Sequence, residues 1–276
     1  MSFYTRIAED SKQALIQLVS EAGHGKTSSL RTIIGKIKKS NPEIIFKIFD
    51  VSQAWYHCAP VKYRQLVTLD KVMRLQVANL EDCVYEIGSM SKDDKRAFVG
   101  MILRQDYNER YQAKLDGGLG EYSNICYVFE EANIYFGSYS FRKNDEYSPV
   151  FDSFVSVGRN YKMRGFLVAT AEQGEMAPSL RRRTRKIYGR LLNKGDLTES
   201  KRVGATIDLT KIPKYTFHYY GESIRIPDDV THTPEDYTHV PVMLELENKE
   251  PEWMTFIKYT GLTIFILWML FSYFLG

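Results

Sequence analysis

The chain has 276 residues, of which 44% are hydrophobic and 26% are charged. This length and composition suit one large α/β domain with an appendage and exclude wholesale disorder. The formal net charge is only +3, so overall charge points to no partner, and a nucleic-acid site would need a local cluster of Lys and Arg. Three distant cysteines without a CxxC pair, Cys58, Cys83 and Cys126, are predicted to be reduced thiols.

The first apolar run, residues 14–19, leads into a glycine-containing loop, SEAGHGKT at residues 20–27, and a helical stretch begins near Lys26. The phosphate-binding pattern G-x-x-x-x-G-K-[ST] is matched except that Ser20 replaces the first glycine. Amides of such a loop face a phosphate, the lysine reaches the β- and γ-phosphates, and the following hydroxyl ligates Mg²⁺. We therefore predict a site for ATP and Mg²⁺, with Thr27 on the metal. The predicted nucleotide-binding residues are Gly23, His24, Gly25, Lys26, Thr27 and Ser28.

Further strands and helices alternate along the chain. Residues 44–51 and 165–169 are apolar runs typical of buried strands, and residues 66–69 suggest a short one. Residues 91–115 and 148–161 are predicted helices, and the aromatic stretch 203–226 is predicted to be β. The alternation predicts an α/β fold with a mostly parallel central sheet flanked by helices, with the ligand loop at the carboxyl ends of the strands.

The strand predicted at Ile125–Phe129 runs directly into two acids, Glu130 and Glu131. In a P-loop ATPase the first acid holds Mg²⁺ through water and the second activates the attacking water as a base. We predict these roles for Glu130 and Glu131 respectively. Thr170, at the end of the 165–169 strand, is predicted to contact the γ-phosphate or the attacking water.

Four segments together resemble the FtsK/HerA-type P-loop ATPases: SEAGHGKTSSL, IIFKIFDVSQAW, CYVFEEANIYF and SVGRNYKMRGFLVATAEQGEMAPSLRRR. The resemblance covers roughly residues 13–192, and Ser20, Glu130 and Ala171 depart from the usual letters. It implies a ring, usually a hexamer, that moves DNA, with each ATP site completed by an arginine from the neighbouring subunit. Arg159 and Arg164 are the candidates for that arginine.

The basic run at residues 180–186, with Arg190, is the densest cluster of positive charge. In a DNA motor it would contact backbone phosphates, independently of sequence and sensitively to salt. A solvated charged face is the alternative.

The end of the chain differs in composition. Residues 227–252 are acidic and contain four prolines, which predicts a linker after an ATPase domain at residues 1–226. Residues 259–275 contain no charged residue and are long enough to span a bilayer. We predict that residues 253–276 form a C-terminal transmembrane helix with the ATPase on the cytoplasmic side. A buried helix is the alternative.

Two functions follow from these features. The first is a membrane-anchored motor, encoded by a virus or mobile element, that translocates or packages double-stranded DNA. The second is an ATPase similar to the Zot-like proteins of filamentous phages, which act in virion assembly and extrusion at the membrane. Zot-like proteins typically carry a further domain beyond the membrane span. We predict no such domain after residues 259–275, so the first function is favoured here. A nucleotide switch or a membrane-remodelling protein is the third possibility, but the paired glutamates favour hydrolysis.

Overall fold

The computed structural model describes residues 2–52, 54–55, 63–66, 82–137, 146–169, 176–177, 180, 183–202, 204–226 and 240–241. The helices in these ranges are α1 (Phe3–Ser11), α2 (Lys26–Ser40), α3 (Lys92–Leu115), α4 (Asn133–Phe136), α5 (Ser148–Ser156) and α6 (Lys194–Arg202). Short 3₁₀ helices cover Gly120–Asn124, Gly158–Tyr161 and Leu209–Lys211. The strands are β1 (Leu15–Val19), β2 (Ile45–Asp50), β3 (Tyr63–Leu66), β4 (Cys83–Glu86), β5 (Ile125–Phe129), β6 (Arg164–Ala169), β7 (Thr184–Tyr188), β8 (Thr216–Tyr219), β9 (Glu222–Arg225) and β10 (Val240–Pro241).

The strands form one sheet in the order β10-β3-β4-β2-β5-β6-β1-β7-β8-β9. All neighbours from β10 to β7 are parallel, whereas β8 and β9 form an antiparallel hairpin at the edge beyond β7. The predicted mostly parallel sheet is therefore confirmed. Because parallel strands end on the same side of the sheet, the loops that follow β1, β2 and β5 lie beside the carboxyl end of β6.

Helices cover both faces of this sheet, as the apolar runs predict. Alternate strand residues point to opposite faces, so Ile48 packs in one core cluster with Ile7 of α1 and Ile33 of α2. On the other face, Phe129 contacts Phe154 of α5 at a ring-centroid distance of 5.4 Å. Strand residues of β1, β5 and β6 are buried throughout, because they are central strands covered on both sides.

A buried ion pair joins the sheet to α3. Lys47 Nζ lies 2.8 Å from both carboxylate oxygens of Asp106, and the Tyr127 hydroxyl donates to Asp106 Oδ2 at 2.7 Å. Both charged side chains are fully buried. Removing one partner would leave a buried charge without compensation, so this pair fixes the position of α3 on the sheet.

Several local predictions are corrected. The helix predicted at 148–161 ends at Ser156 and continues as a 3₁₀ turn, and the short strand predicted at 66–69 lies at Tyr63–Leu66. The basic run contains strand β7 at Thr184–Tyr188, whose Arg185 pairs with Asp10. Its charges are therefore partly used inside the fold and do not form only a solvated face.

Other predictions meet the described residues only in part. Val240–Pro241, in the predicted linker, pairs in parallel with β3. Cys83 and Cys126 are buried, and neither forms a disulfide. No helix within the described ranges is sufficiently long and apolar to cross a membrane, and the predicted span at 259–275 lies outside those ranges, as does Cys58.

Candidate active site

The loop between β1 and α2 has the backbone conformation of a phosphate-binding loop. Gly23 and Gly25 have φ values of 71° and 86°, in the left-handed region that favours glycine. Gly25 caps the N-terminus of α2, which begins at Lys26. The first amides of a helix have no partner within the helix and carry a partial positive charge, so the loop presents donors suited to an anion.

Lys26 is folded back onto this loop. Its Nζ donates to the carbonyl oxygens of Ser20 at 2.8 Å and Glu21 at 2.9 Å. These contacts hold the ammonium group of Lys26 against the backbone of the loop. An ammonium that exchanges these two neutral carbonyls for phosphate oxygens would gain acceptors that carry negative charge.

The segment after β7 braces the loop from one side. Glu21 N donates to the Arg190 carbonyl at 2.9 Å, and Leu192 N donates to Glu21 Oε1 at 2.9 Å. A Cβ placed on Gly189 would lie 2.4 Å from Ser20 Oγ. Ser20, which replaces the usual glycine, therefore fits only because its neighbour across the loop has no side chain.

His24 links the loop to two later segments. Its Nε2 lies 3.3 Å from both the Arg190 amide nitrogen and the Thr216 carbonyl oxygen, and its ring contacts Phe217 edge-on. Burial lowers the pKa of His24, and the nearby positive charges of Arg190, Lys26 and Lys214 lower it further. His24 is therefore a buried residue that supports the loop, and its lowered pKa favours the uncharged imidazole. Its imidazole is 1% exposed, so the contribution expected of it at the nucleotide is from the main chain.

The predicted acids lie two strands away, where β5 ends. Ala132 N donates to the Val168 carbonyl at 2.9 Å, and Ser20 N approaches the Ala169 carbonyl at 3.4 Å. Consecutive carbonyls of β6 thus anchor the acidic turn and the glycine loop. The structure brings the two sequence-predicted motifs to opposite sides of one strand end.

Glu130 is enclosed by the loop that follows β2. Its Oε2 accepts from Ser52 Oγ at 2.9 Å and from Val51 N at 3.2 Å, and its Oε1 accepts from the Trp55 indole at 3.0 Å. Burial, and after it the charge of neighbouring Asp50, together raise the pKa of Glu130 to about 7. Because Glu130 is only 3% exposed, a contact to a metal through water suits it better than direct ligation.

Asp50 and Trp55 are functional candidates that sequence reasoning did not single out. Asp50 is fully buried beside Glu130 and accepts from the amides of Ser52, Ala54 and Trp55 at 3.1–3.2 Å. The sequence signal was the aspartate that ends an apolar strand in IIFKIFD. Asp50 lies beside Glu130 because β2 pairs with β5, a strand that is far from β2 in sequence.

Glu131 differs from its neighbour in both exposure and backbone. It is exposed, and its φ of 44° is unusual for a residue with a side chain. Such local strain persists where the surrounding structure imposes it, and it concentrates at functional sites. This backbone conformation separates the exposed carboxylate of Glu131 from the buried carboxylate of Glu130.

The predicted arginines lie at the opposite end of the strands from the glycine loop, where β6 begins. Arg159 is exposed in the 3₁₀ turn before β6, and Arg164 is the first residue of β6 and is 5% exposed. Six strand residues span about 20 Å, so neither side chain belongs to the nucleotide loop of its own subunit. The burial of Arg164 leaves Arg159 as the candidate for contact with a neighbour. Thr170 lies outside the described residues.

The oxygen donors at this edge are of the type that Mg²⁺ takes, namely a Thr27 hydroxyl and carboxylates. Among the described residues, no group of three or more His, Cys, Asp or Glu is placed to hold a metal. A site with few protein ligands fits Mg²⁺, which keeps several waters and binds substrate phosphates.

Comparison with solved structures identifies the fold. No protein-family model matches the chain, and no curated protein matches it. The genome packaging NTPase B204 from Sulfolobus turreted icosahedral virus 2, in complex with ATP-gammaS, aligns with a TM-score of 0.52 and 13% identity over 76% of this chain and 92% of that one. The DNA-packaging ATPase B204 from Sulfolobus turreted icosahedral virus aligns with a TM-score of 0.51 and 14% identity over 75% and 91%. The chain has the fold of these packaging ATPases, which confirms at the level of the fold the resemblance to FtsK/HerA-type P-loop ATPases.

Proposed function

We propose that this chain is an ATP-hydrolysing motor that translocates or packages DNA. The observation that carries the proposal is the placement of the two motifs. The glycine loop and the Glu130–Glu131 turn are fixed to the Ala169 and Val168 carbonyls of the strand between them. A triphosphate bound in the loop would thus have its terminal phosphate directed toward two carboxylates that differ in burial.

Each residue of the site has a separate role in hydrolysis. Lys26 leaves the Ser20 and Glu21 carbonyls and binds the phosphates. Thr27 and, through water, Glu130 would hold Mg²⁺, which would neutralise charge on the phosphates. Glu131 accepts a proton from the attacking water. Thr170 is assigned, from its place in the sequence after β6, to the terminal phosphate or that water.

Electrostatics around the loop support a polyanionic substrate. Arg190, Lys26 and Lys214 all act on His24 as nearby positive charges. The acids opposite would repel a triphosphate without a metal ion, which supports ATP·Mg²⁺ as the bound species.

DNA is the proposed polymer because the structural neighbours are named for genome and DNA packaging. Arg183 and Arg190 are exposed in the basic run, whereas Lys186 contacts Gln17 of β1. Among the described residues of the run, Lys186 is therefore less available for phosphate contacts than the sequence suggests. A hexameric ring would bring several copies together around double-stranded DNA, and the viral neighbours support a virus or mobile element as the source.

Membrane attachment completes the proposal. Residues 259–275 would span the bilayer and keep the ATPase domain on the cytoplasmic side or at a virion membrane. The support is their length and lack of charge. Flotation with liposomes of the full chain, but not of a chain ending at residue 252, is the expected result. Equal flotation of both would contradict the anchor.

The motor is tested by ATP hydrolysis of the full chain in mild detergent, with and without duplex DNA, across a salt series. We expect DNA to stimulate hydrolysis, and the stimulation to fade as salt rises, because phosphate contacts release counterions. Lys26→Ala should abolish nucleotide binding, and Glu131→Gln should keep binding while hydrolysis falls about 10²- to 10⁴-fold. Hydrolysis that ignores DNA but depends on membranes would instead favour virion assembly at the membrane.

A further inference from the structure

Tyr215 lies against the glycine loop, in a segment that no sequence motif marks. A Cβ placed on Gly25 would lie 2.2 Å from Cε1 of Tyr215, so the ring touches the loop directly. The Tyr215 amide donates to the His24 carbonyl at 3.3 Å, and the Ile226 amide donates to the Tyr215 carbonyl at 2.7 Å. The ring is thereby fixed beside the residue that caps α2.

The backbone of Tyr215 is constrained as well. Its φ of 61° is in the left-handed region, which costs free energy for a residue with a side chain. The β8–β9 hairpin that follows is tied to the loop through the contact between Phe217 and His24. A strained residue held from both sides gives the ring a defined orientation without a ligand.

The sheet order sets which end of a bound nucleotide would meet this ring. Counting from β1, the carboxylates of Glu130 and Asp50 lie on the β6-β5-β2 side, whereas Tyr215 precedes β8 on the β7 side. A triphosphate with its terminal phosphate toward the acids therefore directs its nucleoside toward β7 and β8. The ring of Tyr215 lies on that side of the loop.

A cation lies over the ring. Tyr215 is half-buried, and the exposed Lys214 has its Nζ 4.8 Å from the ring centroid. A solvated ammonium at this distance contributes little to stability and is readily replaced by a flat π system. Nucleobases stack on aromatic side chains, because every base has a π face.

We propose that Tyr215 is the platform on which the base of the bound nucleotide stacks. This inference rests on the proposed binding of ATP at the glycine loop and adds the contact that recognises the nucleoside. It makes the edge hairpin part of the ligand site. It also gives the triphosphate a fixed direction along the loop.

The test compares ATP with inorganic tripolyphosphate, which lacks a base, by titration calorimetry on the full chain in mild detergent with Mg²⁺. Tyr215→Leu should raise the Kd for ATP about tenfold, and Tyr215→Phe should leave it within about twofold, because stacking needs only the ring. Neither change should alter the Kd for tripolyphosphate. Tyr220→Leu is the matched control, since Tyr220 is 57% exposed on the same hairpin, and it should bind both ligands as the wild type does.

Three results would overturn the platform. Equal weakening of both ligands by Tyr215→Leu would show that the ring only shapes the loop. Unchanged ATP binding in Tyr215→Leu would show that the base lies elsewhere. Failure of the wild type to bind either ligand would overturn nucleotide binding itself, and is distinguishable because the first two results require a wild type that binds.

Discussion

Glu130 and Asp50 are two buried carboxyl groups at adjacent strand ends. Their oxygens accept hydrogen bonds from the same short loop, residues 51–55, and Glu130 also accepts from the Trp55 indole. Burial and the nearby charge of Asp50 both disfavour the ionised form of Glu130, so its raised pKa of about 7 means that Glu130 is partly protonated near neutral pH. The protonation of Glu130 is thus linked to the loop whose amide, hydroxyl and indole groups surround it.

Stability should therefore depend on pH through Glu130. Its folded pKa of about 7 exceeds the ordinary value of 4.5, so the folded state binds the proton more tightly. The resulting stabilisation is complete below the ordinary pKa and is lost as pH rises through about 7, a loss on the order of 3 kcal/mol. Glu130→Gln, neutral at every pH, should lack this loss.

Denaturant unfolding of the wild type and Glu130→Gln between about pH 5 and pH 8 measures the effect. The free energy of unfolding of the variant should rise relative to that of the wild type as pH increases. Glu121→Gln, on an exposed glutamate of the Gly120–Asn124 turn, should run parallel to the wild type. Parallel curves for Glu130→Gln as well would show that the proton is not held there.

At the scale of elements, the P-loop is shaped by a segment about 170 residues away in sequence. Gly189 follows β7 and leaves room for Ser20 and His24, whose nearest atoms would lie 2.4 and 2.8 Å from an added Cβ. Gly189→Ala should therefore displace the loop, lower the free energy of unfolding by about 1–3 kcal/mol and raise the Kd for ATP.

A second substitution makes this prediction specific. Ser20→Gly removes the nearer of the two atoms, so the double variant Ser20→Gly/Gly189→Ala should recover part of the stability and affinity. Gly35→Ala on α2 is the control, because an added Cβ there meets nothing within 4 Å, and it should stabilise the helix by up to about 1 kcal/mol. A double variant as weak as Gly189→Ala alone would place the clash elsewhere.

The strands of the sheet show which features can be predicted from the sequence. Strands β1, β2, β5 and β6 are apolar runs, because central parallel strands are buried on both faces, and their positions are confirmed to within a residue or two. Strand β7 also has a neighbour on each side, yet its sequence is basic and its first three residues are only partly buried, since Arg185 pairs with Asp10 and Lys186 with Gln17. Charge satisfied by a partner far away in sequence leaves no local signal.

The candidate site divides in the same way. The glycine loop and the acid pair are local motifs, so the sequence sufficed to predict them. The contributions of Asp50, Gly189 and Tyr215 depend on contacts across the sheet order, which the sequence does not display. Helix α1 escaped notice because its buried residues, such as Phe3 and Ile7, are spread through a polar segment.

At the scale of the whole molecule, the exposed Arg159 lies at the edge of the sheet opposite the nucleotide loop. An arginine at this position can complete a nucleotide site only in another subunit, which requires a head-to-tail contact that closes into a ring. The proposed motor thus predicts two separable defects. Lys26→Ala loses its own site but keeps Arg159, whereas Arg159→Ala keeps its site but cannot complete a neighbour's.

Mixing these two variants tests the arrangement. Each alone should hydrolyse ATP at least about 10³-fold more slowly than the wild type. Random mixing at equal amounts places an intact loop against an intact Arg159 at about one interface in four of a head-to-tail ring. Activity should therefore return to a comparable fraction of the wild-type rate, and only at concentrations that support assembly. An Arg159→Ala variant that stays active alone would exclude the arginine from hydrolysis. A mixture that stays inactive, although both variants co-assemble with the wild type, would exclude action between subunits.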